Sequence, residues 1–156
     1  MEKTNAIRIL DAKKIMHKDY FLEGAECMSG TEIAIAQNQD SNKVFKTLVT
    51  IGKSGNHYVF MLPVSKELDL KKAALAVNEK NIEMIKSKEL LPLTGYVHGG
   101  CSPIGMKKFF TTTIHISAKY LDTIIFSAGK IGRQVEIKPS DLEKVIRVEY
   151  CDLLRD

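Results

Sequence analysis

The sequence predicts an α+β fold built on a mixed β-sheet. Three observations carry this. Two runs rich in β-branched and aromatic residues, VFKTLVTIG (44–52) and HYVFMLPV (57–64), flank a Lys-Ser-Gly-Asn turn and read as a hairpin. A second hairpin, TIIFSAGKIGRQVEI (123–137), turns at Gly129–Gly132. Helical periods recur around these strands without regular alternation, which argues against a repeated βαβ layout.

Taken in order, NAIRILDAKKIMH (5–17) places Ala6, Ile7, Leu10 and Ile15 at helical spacing, with Thr4 or Asn5 as a cap. DYFLEG is a short extended piece. Ser29 and Glu32 have the spacing of a capping box and open a short helix, TEIAIAQNQ. Its Ile-Ala-Ile-Ala run is also compatible with a strand, but the box favours helix. After the first hairpin, DLKKAALAVN (69–78) and EKNIEMIKS (79–87) are helical in period. FFTTTIHIS (109–117) reads as a strand and SAKYLDT (117–123) as a short helix. A second capping box, Ser140 with Glu143, opens a final helix SDLEKVIR (140–147).

At 156 residues and 44% hydrophobic content, one domain with a sizeable core is expected. The net charge of +4 permits a polyanionic partner without demanding one. Cys27, Cys101 and Cys151 are odd in number and widely spaced, which supports neither a disulfide framework nor a zinc knuckle. The N-terminus lacks the apolar centre of a signal peptide, and no apolar run approaches the ~20 residues a membrane span requires. A reduced, cytoplasmic protein is the expectation.

Lys46 interrupts a strand that is apolar on both faces, with Val44 and Leu48 on its own side and Phe45 and Val49 on the other. A lysine there is either paired or working, or it sits near a strand end and reaches water. The stretch TGYVHGGCSPIG (94–105) admits three chemical readings and a plain loop. Cys101 with His98 as a nucleophile pair lacks a third orienting group. His98, Cys101 and His115 as a metal site lack ligand spacing and a nearby carboxylate. Gly99 and Gly100 as a backbone cradle, stiffened by Pro103, suit an oxyanion or phosphate best. Paired lysines occur at 13–14, 71–72 and 107–108; the last follows the Gly-rich loop directly and suits a phosphate.

Lys46 in VFKTLV, then GYVHGGCSPIG, then SAGKIGRQVEI, then SDLEKVI occur together in this order. As a set they resemble the YbaK family of aminoacyl-tRNA deacylases, relatives of the editing domain inserted in bacterial prolyl-tRNA synthetases. The likeness covers nearly the whole chain, as one editing domain over residues 1–156. It implies a mixed, strongly curved, barrel-like sheet flanked by helices.

The resemblance also implies a chemistry. Lys46 matches the family's essential lysine and is assigned to anchoring the terminal adenosine or its phosphate. Gly99, Gly100 and Ser102 complete the catalytic set, with Pro103 stiffening their Gly-Gly-x-Ser-Pro frame. Tyr20, Ser29, Thr47 and Pro103 are expected to bind substrate. So are Ser127, Gly129, Lys130 and Gln134, on and beside the second glycine turn. No metal and no cofactor is expected. The partner is the aminoacylated end of tRNA, with association with prolyl-tRNA synthetase open, and neither membrane nor DNA.

The implied reaction removes cysteine from Cys-tRNA(Pro), and by extension from Cys-tRNA(Cys). The substrate's own thiol attacks the ester and cyclises to a thiolactone. Three positions depart from the best-known pattern: Ser29 replaces an aromatic, Gln134 replaces an aspartate and Ile131 replaces an arginine. Two alternatives therefore stand beside it: an Ala-tRNA(Pro) deacylase using water activated by the tRNA hydroxyl, and a non-catalytic tRNA- or synthetase-associated module.

Overall fold

The computed structural model describes residues 2–156. Among the described residues there are five α-helices and eight strands, and the strands form two sheets. The smaller is antiparallel and has the order β1 (Lys18–Phe21), β7 (Arg133–Ile137), β6 (Ile124–Lys130). The larger has the order β4 (Ile82–Met84), β2 (Phe45–Gly52), β3 (His57–Pro63), β5 (Thr111–His115), β8 (Val148–Cys151). It is mixed: β2 pairs antiparallel with β3 and β4, whereas β3–β5 and β5–β8 are parallel. An isolated bridge between Val44 and Ile125 links the sheets, and the Ile125 N–H donates to the Lys43 carbonyl at 2.9 Å.

Neither sheet closes on itself. The strongly curved, barrel-like sheet expected above is thus corrected to two open sheets joined at β2 and β6.

The central strands are buried on both faces, so their side chains serve two cores. Met61 of β3 faces a cluster with Ile7 and Leu10 of α1 (Asn5–Ala12), Phe45, Ile114, Phe126 and Val135. Its neighbours Phe60 and Leu62 face the opposite way, against Ala73 and Ala74 of α3 (Leu70–Val77) and Leu153. This is the period-2 alternation of a strand with both sides covered.

Both hairpins form as expected. Lys46 pairs with Leu62 in the first. In the second, Lys130 pairs with Arg133 across a two-residue turn, and the register slips between Ser127 and Lys130. Gly132 holds φ +82 in that turn, and a Cβ there would meet the Leu22 carbonyl oxygen at 2.5 Å. Only glycine fits.

α1 ends at Ala12 rather than continuing to His17, because Lys14 adopts φ 58 and breaks the helical path. Thr4 is its cap, accepting from the Ile7 N–H. The Ser29–Glu32 box is present in full at the start of α2 (Gly30–Ala36). The helix expected over 79–87 is not there. Ile82 is the one buried residue of that stretch and enters β4, pairing with Gly52. Helix α4 (Ser87–Thr94) starts after it and ends in the glycine loop at Gly95.

The Ser140–Glu143 box is also absent. Pro139 takes the first helical position of α5 (Pro139–Leu142), with Lys138 as cap, so Ser140 lies inside the helix rather than before it. The chain then leaves as β8, where a longer helix was expected.

Candidate active site

A cavity of about 390 Å³ opens where β2, the start of α2 and the two glycine turns meet. β2 supplies Phe45 to Leu48, including Lys46 and Thr47, with Val44 just before it. The capping-box turn supplies Ser29 and Gly30, and the first glycine loop supplies His98, Gly99 and Cys101. The second hairpin adds Ser127 and the run Ile131 to Gln134. A larger, more open groove of about 580 Å³ runs past Lys119, Lys138 and Tyr150 and holds none of the expected site residues.

Six expected residues therefore share one cavity: Ser29, Lys46, Thr47, Gly99, Ser127 and Gln134. The two glycine turns are in direct contact. A Cβ on Gly99 would lie 3.6 Å from the Ile131 side chain, and one on Gly100 would lie 3.0 Å from the Ile131 nitrogen.

The remaining expected residues stand outside the cavity wall. Gly100, Ser102 and Pro103 are buried behind it, and the Ser102 Oγ accepts from the Ile104 N–H at 3.2 Å. They shape the loop rather than face the cavity. Gly129 sits beneath Tyr96, whose hydroxyl donates to the Ile104 carbonyl at 2.5 Å. Lys130 is exposed on the turn. Tyr20 stands opposite Gln134 in the β1–β7 ladder but outside the cavity wall, and its hydroxyl donates to Glu136 at 2.6 Å. Its acidity is pushed to about 12 by burial and that carboxylate. Tyr20 and Lys130 thus stand beside the cavity rather than on its wall.

Lys46 is half-buried, and burial lowers its pKa while the charge of Glu67 acts in the opposite direction. No hydrogen bond contributes to that balance, so its ammonium retains its donors. Cys101 is different in kind. Burial pushes its thiol up to about 12, against a weaker opposing hydrogen bond from Thr94. A thiol held that high is not a nucleophile near neutral pH.

Two wall serines are tied to backbone, whereas the buried Thr47 hydroxyl has no partner among the described residues. Ser29 accepts from the Glu32 N–H and Ser127 from the Gly129 N–H. His115 is remote from a metal-site role as well, since its Nδ1 accepts from the Leu153 N–H at 3.2 Å. Among the described residues no group of three or more His, Cys, Asp or Glu is placed to hold a metal ion.

Glu26 and Met28 on the wall were not expected from the sequence. They come from a single 3₁₀ turn (Ala25–Cys27) and its cap between β1 and α2, too short to carry a periodic signal. Arg133 lies on the wall beside Gly132, its guanidinium 5.9 Å from the ring centre of Phe21. The other paired lysines serve elsewhere: Lys72 bridges Asp152 and Asp156, and exposed Lys107 lies over Gly95.

A family model described as the aminoacyl-tRNA editing domain matches residues 25–145, which includes every wall element of the cavity. The chain belongs to the aminoacyl-tRNA editing domain family. It is an aminoacyl-tRNA deacylase, and its substrate is a charged tRNA. A protein of Enterococcus faecalis (strain ATCC 700802 / V583) is 39% identical over 153 residues, spanning 97% of this chain and 93% of that one. It carries a provisional name, Cys-tRNA(Pro)/Cys-tRNA(Cys) deacylase EbsC.

Two solved structures share the fold of this editing domain. One, provisionally described as a trans-editing enzyme for prolyl tRNA synthetase, has a TM-score of 0.83 at 19% identity, covering 99% of this chain and 100% of that one. The other, the hypothetical protein APE2540, has a TM-score of 0.85 at 16% identity, covering 95% and 97%. No helix among the described residues is long and apolar enough to cross a membrane.

Proposed function

We propose that this deacylase clears Cys-tRNA(Pro) and Cys-tRNA(Cys), using the substrate's own thiol as nucleophile. The carrying observation is a cavity whose one cysteine is disarmed. Cys101 is raised to about 12, and the wall hydroxyls of Ser29 and Ser127 are tied to backbone N–H groups. Such a site supports chemistry in which the enzyme positions and the substrate attacks. The name carried by the 39% identical relative supports the same substrate.

The sulfur of the cysteinyl group forms a bond to its own ester carbonyl carbon. The carbon–oxygen bond to the terminal ribose breaks. The ribose oxygen leaves with a proton, and the thiol proton passes to solvent. The products are cysteine thiolactone and free tRNA. Lys46 anchors the terminal adenosine or its phosphate, which fixes the ester in the cavity. The loop through Gly99 and Gly100 lets backbone approach the carbonyl closely, with Ser102 and Pro103 holding its shape. Recruitment by prolyl-tRNA synthetase belongs to this reading as a partner.

Parallel deacylation of Cys-tRNA(Pro), Cys-tRNA(Cys) and Ala-tRNA(Pro) tests it. The reading expects both cysteinyl substrates to be cleared well ahead of the alanyl one. Preferential clearance of Ala-tRNA(Pro) would instead assign the chain to water-based deacylation.

A further inference from the structure

Gln134 is nine-tenths buried and lines the cavity. Its side-chain carbonyl accepts two hydrogen bonds, from the amide of Gln37 at 2.7 Å and from that of Gln39 at 2.9 Å. Its own Nε2 has no acceptor among the described residues, yet it is not among the fully enclosed unpaired atoms. It therefore reaches the open volume of the cavity.

The local fold explains this arrangement. Helix α2 ends in paired reversals at Asn38, which holds φ 55. The Gln39 N–H returns to the Ala34 carbonyl and the Asn38 N–H to that of Ile35. This is a Schellman closure with asparagine in the left-handed position. It turns the chain so that residues 37 and 39 present their amides to the same atom.

The direction of the amides is physically constrained. In the arrangement found, the enclosed orphan is the carbonyl oxygen of Gln39. Turning all three amides over would enclose an NH₂ group with two unused donors instead, which costs more than one under-used acceptor. The cavity is accordingly offered a neutral donor at this point.

We propose that Gln37 and Gln39 are positioning residues that aim the Gln134 amide nitrogen at the sulfur of the bound cysteinyl group. The inference rests on the cysteine reading above. A donor at the sulfur favours its thiolate form and holds it near the ester carbonyl.

Single-turnover deacylation of Cys-tRNA(Pro) as a function of pH tests the inference, using the full chain. Gln134→Glu is the decisive variant. Its carboxylate still accepts from Gln37 and Gln39 but has no hydrogen to give. The expected result is about a tenfold lower rate at neutral pH and a pH midpoint raised by about one unit, with half-saturation by tRNA unchanged. Gln37→Leu and Gln39→Leu should each lose about fivefold.

The other charged or titratable groups around the cavity are Glu26, Lys46, His98, Cys101 and Arg133, and none is altered in these variants. If the leucine variants do not fold, Gln134→Glu decides alone, because it preserves the clamp. A wild-type chain that clears Cys-tRNA(Pro), with Gln134→Glu identical in rate and midpoint, would overturn this inference alone. A wild-type chain that spares Cys-tRNA(Pro) and clears Ala-tRNA(Pro) would overturn the cysteine reading and the sulfur assignment with it.

Discussion

Gly100 meets the backbone of Ile131 so closely that a Cβ on the glycine would stand 3.0 Å from the Ile131 nitrogen and 3.2 Å from the Lys130 carbonyl carbon. Both neighbours are main chain, so neither yields by changing rotamer. This contact holds the two glycine turns together at the cavity.

Gly100→Val is therefore expected to push the turns apart. Overpacking of this kind costs about 1–3 kcal/mol, which in a chain of this size lowers the melting temperature by a few degrees per kcal/mol. Deacylation should fall more than stability explains, by at least about tenfold, because the loop loses its placement. Thermal melts beside single-turnover rates check this. Gly100→Val with wild-type turnover would show that the loop's backbone does not serve the reaction.

Lys46→Ala is expected to leave the fold intact and to reduce kcat/KM by about ten- to a hundredfold, the loss of a charge-assisted contact. Its ammonium is half-buried without a protein hydrogen bond, so removal strands no partner. Lys46→Arg should also be impaired, since the planar guanidinium differs in shape and reach. Circular dichroism and deacylation kinetics on both variants supply the comparison. Near wild-type turnover in Lys46→Ala would remove it from the site.

Cys101→Ala and His98→Ala are expected to retain most activity. The Cys101 thiol is buried and held at about 12, so it contributes packing rather than attack. Thiol-labelling should modify exposed Cys27 before Cys101. Trapping of an acyl group on Cys101 by mass spectrometry, with an inactive alanine variant, would restore the nucleophile reading.

The cavity was legible in the sequence where chemistry and local structure agree. Lys46, in a strand apolar on both faces, and Gly99, the first glycine of the Gly-Gly-x-Ser-Pro frame, both line the cavity, while Gly100, Ser102 and Pro103 are buried behind it. The Ser29–Glu32 box was legible because its two hydrogen bonds are local. The Ser140–Glu143 pattern had the same spacing but not the same outcome, because Pro139 claims the first helical position. Residues 79–87 misled for a tertiary reason: pairing with β2 overrides a helical period that has one buried residue. The glutamine clamp left no periodic trace. Its sole local mark is Asn38 between Gln37 and Gln39, and their common target lies 95 or more residues away.

His17 predicts a pH dependence of stability remote from the cavity. Its ring bridges Asp11 at 2.7 Å and Asp19 at 2.5 Å, fastening the end of α1 to β1. Burial alone would lower its pKa, but the hydrogen bonds and charges of both aspartates raise it above the ordinary 6.5. The stabilisation is therefore complete below pH 6.5 and is lost as pH rises through the higher folded value. Asp11 is held below its ordinary 3.8 by hydrogen bonds from Lys3 and His17, so its share is present above pH 3.8 and lost in acid. Melting temperatures across pH 4–9 should fall on the alkaline side in the wild type and less steeply in His17→Asn. Parallel alkaline slopes would contradict the bridge.

In the proposed reaction the substrate's own thiol performs the attack. Single-turnover deacylation of Cys-tRNA(Pro) against Ser-tRNA(Pro) tests it most directly, because the two aminoacyl groups are close in size and differ in nucleophile. A thiol of pKa about 8.5 is a few per cent ionised at pH 7, whereas a hydroxyl is essentially never ionised. Similar half-saturation is expected for the two, with Cys-tRNA(Pro) cleared at least about tenfold faster in the chemical step and cysteine thiolactone as first product. Equal rates for the two substrates would contradict thiol attack.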